Sequence, residues 1–330
     1  MLRKPKRIRP AESVVDGASE SQDQISAKPA PLVPFPAVEQ GNALTIDVED
    51  YFHVEAFADT IDRRDWAVQP RRVAQNTNKL LDMLGEAAVT GTFFMLGWAA
   101  ERHPELVHRI VAEGHELASH GSDHRRLDQQ SRDQFRCDVR RSKRLLEDIA
   151  GAAVVGYRAP TFSIGHRTQW AHAILAEEGF RYSSSIYPIA HDLYGEPTAP
   201  RRPFQPLPGF MEIPLTTYRI LGHNLPSAGG GYFRLFPYAI AREALRRSRK
   251  QLGTPCIFYV HPWEIDPDQP RQSRASRLSR FRHYVNLHRT EERLRRLLHD
   301  FSWSRVDHIF LGEEASPLPL IEAWLKHPAR

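Results

Sequence analysis

Cysteine is nearly absent: Cys137 and Cys256 are the only two in 330 residues. That count excludes a disulfide framework and a cysteine-built zinc site, and it fits a reducing compartment. Long apolar runs are also missing, and nothing approaches the roughly 18 to 20 residues needed to cross a bilayer. The opening "MLRKPKRIRPAESVV" has the basic start of a signal peptide without the apolar stretch that should follow. A cytoplasmic protein with no transmembrane segment is therefore expected. Charge of one sign is scarce too. Lys and Arg number 45 against 40 Asp and Glu, a net +5, which does not make nucleic acid an expected partner. The Arg-rich stretches "AREALRRSRK" and "DPDQPRQSRASRLSRFRHYVN" read as solvated faces rather than as contacts for a polyanion.

What is present is an α/β pattern with 41% hydrophobic residues, enough for a substantial core. Residues 1–40 have prolines too closely spaced for helix or sheet and read as a disordered tail. From Gly41 onward strands alternate with helices. "ALTI" opens as a strand. Arg71 to Leu84 then places Val73, Thr77, Leu80, Leu81 and Leu84 on one helical face, with Gly85 expected as a left-handed stop. "VTGTFFMLG", "HELASH", "AVVGYRAP", "FRYSSSI" and "PCIFYVHPW" read as further strands. Between them, Ser131 with Gln134 forms a capping-box pattern at the head of a long helix. Alternating strands and helices imply parallel βα units, in an open wound sheet or a barrel, with chemistry collected where strands end. Beyond Glu264 the polar, Arg-rich composition and "RTEERLRRLLHDF" suggest a small α-rich appendage.

Four strand ends carry reactive groups. The first is "DVEDYFHVEAF", where Asp47, Glu49 and Asp50 crowd together and His53 and Glu55 follow, expected at the loop or pocket rim. Like charges so close repel and lose hydration, so a metal, a basic partner or water must offset them. The second is "ASHGSDH", where His120 and His124 can converge on one ion if the backbone turns helically. The third is "GYRAPTFS", with Arg158 ahead of Pro160. The fourth is "CIFYVHPWEID", which presents His261 at a strand end beside Trp263. "LPSAGGGYFRLFPY" adds a glycine run read as flexible, followed by Tyr232, Phe233 and Phe236, either a sugar subsite or a turn into a core helix.

In this order the four stretches resemble the polysaccharide deacetylase family, the NodB-homology domain of carbohydrate esterase family four, over about residues 41–265. "DVEDYFHVEAF", "GGGYFRLFPY" and "VNLHRTEERLRRLL" further resemble its subgroup from bacterial exopolysaccharide and exosortase (PEP-CTERM) loci. The resemblance implies a NodB-type distorted (β/α) barrel at 41–265, after a tail at 1–40 and before a C-terminal extension at 266–330. It implies Asp47 as catalytic base, His261 as general acid, Arg158 orienting the base, and His120 and His124 as metal ligands. The carboxylate ligand stays open: strand alternation puts Glu49 on the side of Asp47, whereas a sharp turn after Val48 would bring Asp50 to the metal. Relatives commonly have Asp where this chain has Ser183, so the acidic partner of Arg158 is not identified. Pro160, Thr161, Phe162 and Trp263 are expected at the substrate, with a backbone N–H near Thr161 and Phe162 holding the oxyanion.

The implied cofactor is a divalent metal, Zn2+ first, with Co2+, Mn2+ and Ni2+ as alternatives. The implied reaction removes N-acetyl groups from an N-acetylated oligo- or polysaccharide, an exopolysaccharide or its precursor, with exopolysaccharide assembly proteins as partners. Two rivals share parts of the pattern. A non-catalytic carbohydrate-binding relative would have lost Asp47 or a ligand, and none is lost. A non-haem iron oxygenase would need a His-x-Asp/Glu pair with a distant His, the reverse of the order here.

Overall fold

The computed structural model describes residues 41–312, all within one compact unit. The expected tail at 1–40 and residues 313–330 lie outside the described residues. The strands are β1 (Asn42–Val48), β2 (Thr92–Met95), β3 (Glu116–Ser119), β4 (Gly156–Tyr157), β5 (Tyr182–Ser183), β6 (Phe204–Leu207), β7 (Phe210–Glu212), β8 (Thr217–Ile220), β9 (His223–Pro226), β10 (Ile257–Val260) and β11 (Trp303–Ser304). One sheet runs β10-β1-β2-β3-β4-β5-β7-β6, parallel throughout except for the antiparallel β6–β7 pair. β10 and β6 do not pair with each other, so the expected distorted barrel is a half-barrel, with helices packed along it.

Alternation along β1 explains how this sheet carries chemistry. Leu44, Ile46 and Val48 join the cluster under the helices, together with Phe93 and Met95 of β2. Ala43 joins Phe94, Ala118, Ile257 and Tyr259 on the concave face. Thr45 and Asp47 share the alternation of Ala43 and so point into that concavity. Helix Val306–Phe310 closes its floor, with the Val306 N–H donating to Thr92 Oγ1 at 2.8 Å.

The helices form largely for the reasons legible in the sequence. Helix Arg132–Ala150 starts with both hydrogen bonds of the Ser131/Gln134 capping box and ends at Gly151 with φ 63°. Gly85 is a correction. Helix Val73–Glu86 runs through it, and the left-handed residue is Ala88, φ 51°. There the Val89 N–H donates to the Leu84 carbonyl at 3.0 Å as Val89 packs onto the core, so the closing apolar contact sets the stop. The hairpins β6–β7 and β8–β9 have no counterpart in the sequence reading, although Pro208-Gly209 marks the first turn. Beyond residue 265 the chain is α-rich as expected, in helices Arg277–Tyr284 and Thr290–Asp300, and it then returns to the sheet. β11 pairs in parallel with β1, and Leu294, Leu297, Leu298 and Trp303 enter the main core.

Glu116 is buried at the floor of the concavity. It accepts from Thr92 Oγ1 at 2.6 Å, Tyr182 OH at 2.8 Å and the Asp307 N–H at 3.0 Å. Burial, reinforced by Asp307, nevertheless pushes its carboxyl up to about 7. Between about pH 4.5 and 7 the folded state therefore keeps a proton that the unfolded chain has released. Stability from this site falls as pH rises through that window, and the penalty is complete above about 7. Glu116→Gln should remove this slope. Relative to wild type, its thermal midpoint should gain at about pH 8 over about pH 5, by the equivalent of about 1–3 kcal/mol. An identical pH slope in the two proteins would contradict the assignment.

Candidate active site

Because the strands run parallel, their C-terminal ends share one rim, and each reactive group sits one residue past a strand or in its last turn. Asp47 lies in β1, His120 follows β3, Arg158 follows β4, Ser184 follows β5 and His261 follows β10. Arg158 is fully buried and donates Nη1 to Asp47 Oδ1 at 2.6 Å and to Thr45 Oγ1 at 2.8 Å. Its other side is taken by Ser184: Nε donates to the carbonyl at 2.9 Å and Nη2 to Oγ at 3.0 Å. The guanidinium lies 4.1 Å from the centroid of the Phe94 ring. Among the described residues no carboxylate other than Asp47 pairs with it. The position without Asp, Ser183, instead exchanges a hydroxyl hydrogen bond with Ser185, 2.6 Å away. The acidic partner of Arg158 is thus Asp47, with serine and threonine filling the remaining donors.

The two open carboxylates separate. Asp50 turns away from the histidines. Its Oδ2 accepts the N–H groups of Arg72 at 2.7 Å and Val73 at 2.9 Å, at the start of helix Val73–Glu86, and its Oδ1 accepts from the Tyr51 N–H. Asp50 is therefore a helix-end acceptor and stands apart from the histidine cluster, which corrects its place among the metal-ligand candidates. Burial pushes its carboxyl up to about 6 against those three donors. Glu49 joins His120 and His124 in a buried cluster whose ligand atoms all lie within 4.8 Å of one another. Burial raises Glu49, but His124, His261 and His120 outweigh it and hold the carboxylate well below its usual range.

This trio fits a metal ion. His120 Nδ1 donates to the Arg158 carbonyl at 2.9 Å, which leaves Nε2 as a lone-pair donor. Burial, only partly opposed by Asp47, pushes His120 down to about 4, the neutral form that a metal needs. Glu49 Oε2 lies 2.7 Å from His124 Nε2, yet it is buried without a hydrogen bond. A carboxylate oxygen and a ring nitrogen turned off-axis towards one space suit a shared cation. The two histidines converge without a helical turn between them. Gly121 has φ 76° and His124 φ 49°, and the rings of His120 and His124 come to 5.3 Å between centroids through a loop. Asp138 accepts the Ser122 N–H at 3.2 Å, and Arg63 donates to the carbonyls of Asp123 and His124. The positive φ favours glycine at 121, and a Cβ there would also sit 2.9 Å from Asp138 Oδ2.

Opposite stands His261, its Nε2 3.7 Å from Glu49 Oε1 and 3.9 Å from Asp47 Oδ2. Its Nδ1 is 2.7 Å from Glu264 Oε1, and Arg234 Nε donates to Glu264 Oε2 at 2.6 Å. Burial lowers His261, but Glu264, Glu49 and Asp47 outweigh it and raise the imidazole above its ordinary value. Glu264, Arg234, Thr45 and Ser184 were missed in the sequence. His261-x-x-Glu264 was the readable signal, whereas Arg234 had none. The ring of Trp263 stacks between those of His261 and His283, at 5.1 and 4.2 Å.

A cleft of about 400 Å³ opens over these groups. Thr161, Phe162 and Trp263 line it, while Pro160 is buried behind them. Thr161 and Phe162 hold φ 56° and 47°, strained values for a β-branched and an aromatic residue, in the wall of the cleft that Asp47 also lines. The Phe162 N–H is committed to the Ala159 carbonyl, which leaves Thr161 as the N–H donor of that pair. Glu55 lines the rim as expected, and His53 holds the loop by accepting the Asp50 N–H at 2.8 Å. The aromatic trio divides: Tyr232 lines the cleft, Phe233 is core and Phe236 is exposed. The glycine run packs closely against β10. Gly229 bridges to Tyr259, where a Cβ would meet the carbonyl oxygen at 2.1 Å.

Residues 58–182 match the polysaccharide deacetylase family. Residues 184–311 match a domain of unknown function, DUF3473. The deacetylase segment thus holds His120, His124 and Arg158, Asp47 and Glu49 precede it, and the second segment supplies Ser184, Arg234, His261 and Glu264. Among curated proteins, the chain is 35% identical over 96 residues to a peptidoglycan-N-acetylglucosamine deacetylase of Bacillus cereus, covering 29% of this chain and 35% of that protein. It is 48% identical over 48 residues to a chitooligosaccharide deacetylase of Rhizobium leguminosarum, covering 14% and 22%. The chain therefore spans about a third or less of these relatives. A crystal structure from Mycobacterium smegmatis, described as a polysaccharide deacetylase, superposes with a TM-score of 0.53 at 22% identity, covering 87% of this chain and 96% of that one. That likeness supports the fold.

Glu49→Ala should weaken binding of Zn2+ by about a hundredfold or more in calorimetric titration, while Asp50→Asn keeps the affinity within about tenfold. The opposite ranking would return the carboxylate ligand to Asp50.

Proposed function

We propose that this protein is a metal-dependent N-deacetylase that removes acetyl groups from an N-acetylated sugar in a bacterial exopolysaccharide or its precursor. The observation that carries this reading is the convergence of Glu49, His120 and His124 in one cluster, with the Arg158-held Asp47 on one side and Glu264-held His261 on the other. A divalent cation held by Glu49, His120 and His124, with Zn2+ the best match to that donor set, would supply an acidic water and polarise the amide carbonyl. The names of the curated relatives, both sugar N-deacetylases, support the same class of substrate.

The chain's own groups perform the proton transfers. Asp47, fixed by the Arg158 Nη1 bond, faces the concavity and accepts a proton from the attacking water. As the water oxygen bonds to the acetyl carbon, charge builds on the carbonyl oxygen, and the Thr161 N–H is the backbone group beside it. His261 gives its Nε2 proton to the departing nitrogen as the C–N bond breaks. An amide anion is too poor a leaving group to depart unprotonated. The raised affinity of His261 for its proton, set by the Glu264–Arg234 pair behind it, suits that step. The products are acetate and a free amine on the sugar. Trp263, Phe162 and Tyr232 offer flat walls for sugar rings.

Acetate release from a panel of N-acetylated glycans, with and without chelator, is the test. Wild type should release acetate only with the metal present. Asp47→Asn and His261→Ala should each lose about 10²- to 10⁴-fold in rate while still binding Zn2+. Stoichiometric metal binding with no acetate from any glycan would replace this reading by a carbohydrate-binding role. Full activity in Asp47→Asn would remove Asp47 as the base.

A further inference from the structure

Among the described residues many arginines have carboxylate partners, as in Arg72–Asp266 at 2.8 Å, Arg140–Glu178 at 2.7 Å and Arg305–Asp307 at 3.0 Å. In the stretch from 271 to 284, among the described residues, Arg282 alone is so paired, with Asp192 at 2.9 Å. Arg271, Arg274, Arg277 and Arg280 are all exposed, and among the described residues no carboxylate forms an ion pair with any of them. Arg271 instead lies over the Tyr284 ring at 4.3 Å. Four clustered cations without a counter-charge repel one another, and an anionic partner would relieve this.

Large apolar side chains are exposed on the same short helix, Arg277–Tyr284: Leu278 is 53% and Phe281 55% exposed. At 100° per residue, Phe281 lies between Arg277 and Leu278 around the helix, and Arg280 lies on the far side of Arg277. The buried side is taken by His283, whose Nε2 is 2.6 Å from Gln269 Oε1. Leu235 and Phe236, 41% and 42% exposed, add to the apolar surface from the end of helix Gly230–Leu235. Position gives the patch meaning. Leu235, Leu278 and Phe281 line the catalytic cleft, and Phe281 also lines a second concavity formed with Arg271, Arg277, Arg280 and Tyr284. The basic and apolar face therefore borders the mouth of the cleft.

We propose that this face docks on an anionic lipid bilayer, with the arginines at the phosphate level and Leu278 and Phe281 inserted among the headgroups. A single bound phosphate would account for the arginines but leave the apolar side chains in water. A bilayer surface accommodates both, as basic amphipathic helices do. Combined with the deacetylase reading, on which this last step rests, docking turns the cleft towards glycan carried at a membrane.

Cosedimentation of the full chain with vesicles tests the docking without any substrate. Binding to phosphatidylglycerol vesicles, absent with phosphatidylcholine alone and weakened by salt, is expected. The exposed triple variant Arg274→Gln/Arg277→Gln/Arg280→Gln should partition roughly a hundredfold less, with an unchanged thermal midpoint. No binding to either vesicle, equal binding to both, or wild-type partition by the triple variant would each overturn the proposal. A chain that binds vesicles yet releases no acetate keeps the docking face and loses the deacetylase reading.

Discussion

Three buried carboxylates within four residues at the end of β1 set the terms for everything around them. A carboxylate removed from water must be compensated nearby, and the chain supplies a different partner to each. Asp47 takes a buried guanidinium, Asp50 takes the free N–H groups of a helix start, and Glu49 takes two imidazoles. The first two arrangements are closed. The third leaves one oxygen, Glu49 Oε2, buried without a hydrogen bond beside a ring nitrogen. Of the three solutions it is the one with room for a cation.

That division of partners explains why distant parts of the chain fold into one site. Arg158 reaches Asp47 across two intervening strands, β2 and β3, on the same concave face, and Ser184 then holds the guanidinium from the end of β5. His261 stands opposite because β10 pairs with β1 in register, Ile46 beside Val260. Its partner Glu264 is anchored by Arg234, whose other donors reach the carbonyls of Arg282 and His283. The segment matching the deacetylase family therefore holds only part of the cluster. The 184–311 segment contributes His261, its carboxylate partner Glu264 and a wall of the cleft.

Much of this was legible in the sequence because strand ends are local. Asp47, Glu49, His120, Arg158 and His261 each terminate or follow an apolar run, and alternation along β1 already favoured Glu49 over Asp50. Other features depended on tertiary geometry. The His120–His124 convergence comes from two left-handed residues and from Asp138 and Arg63, none of which a four-residue spacing encodes. The Arg158 environment was opaque because serine and threonine replace an expected acid, and polar side chains of that kind carry no charge pattern to read. Gly85 failed as a stop because the packing of Val89 outweighed the local preference of glycine. The hairpins between residues 204 and 226 were passed over, although Pro208-Gly209 marks a turn.

The central physical claim is that the unsatisfied edge of Glu49 is shared with a metal. Anomalous scattering from a zinc-loaded crystal addresses it most directly. An ion about 2.0–2.3 Å from Glu49 and from one nitrogen each of His120 and His124 is the expected result. Zinc ligated by Asp50, or an ordered crystal in which no ion enters this cluster, would contradict it.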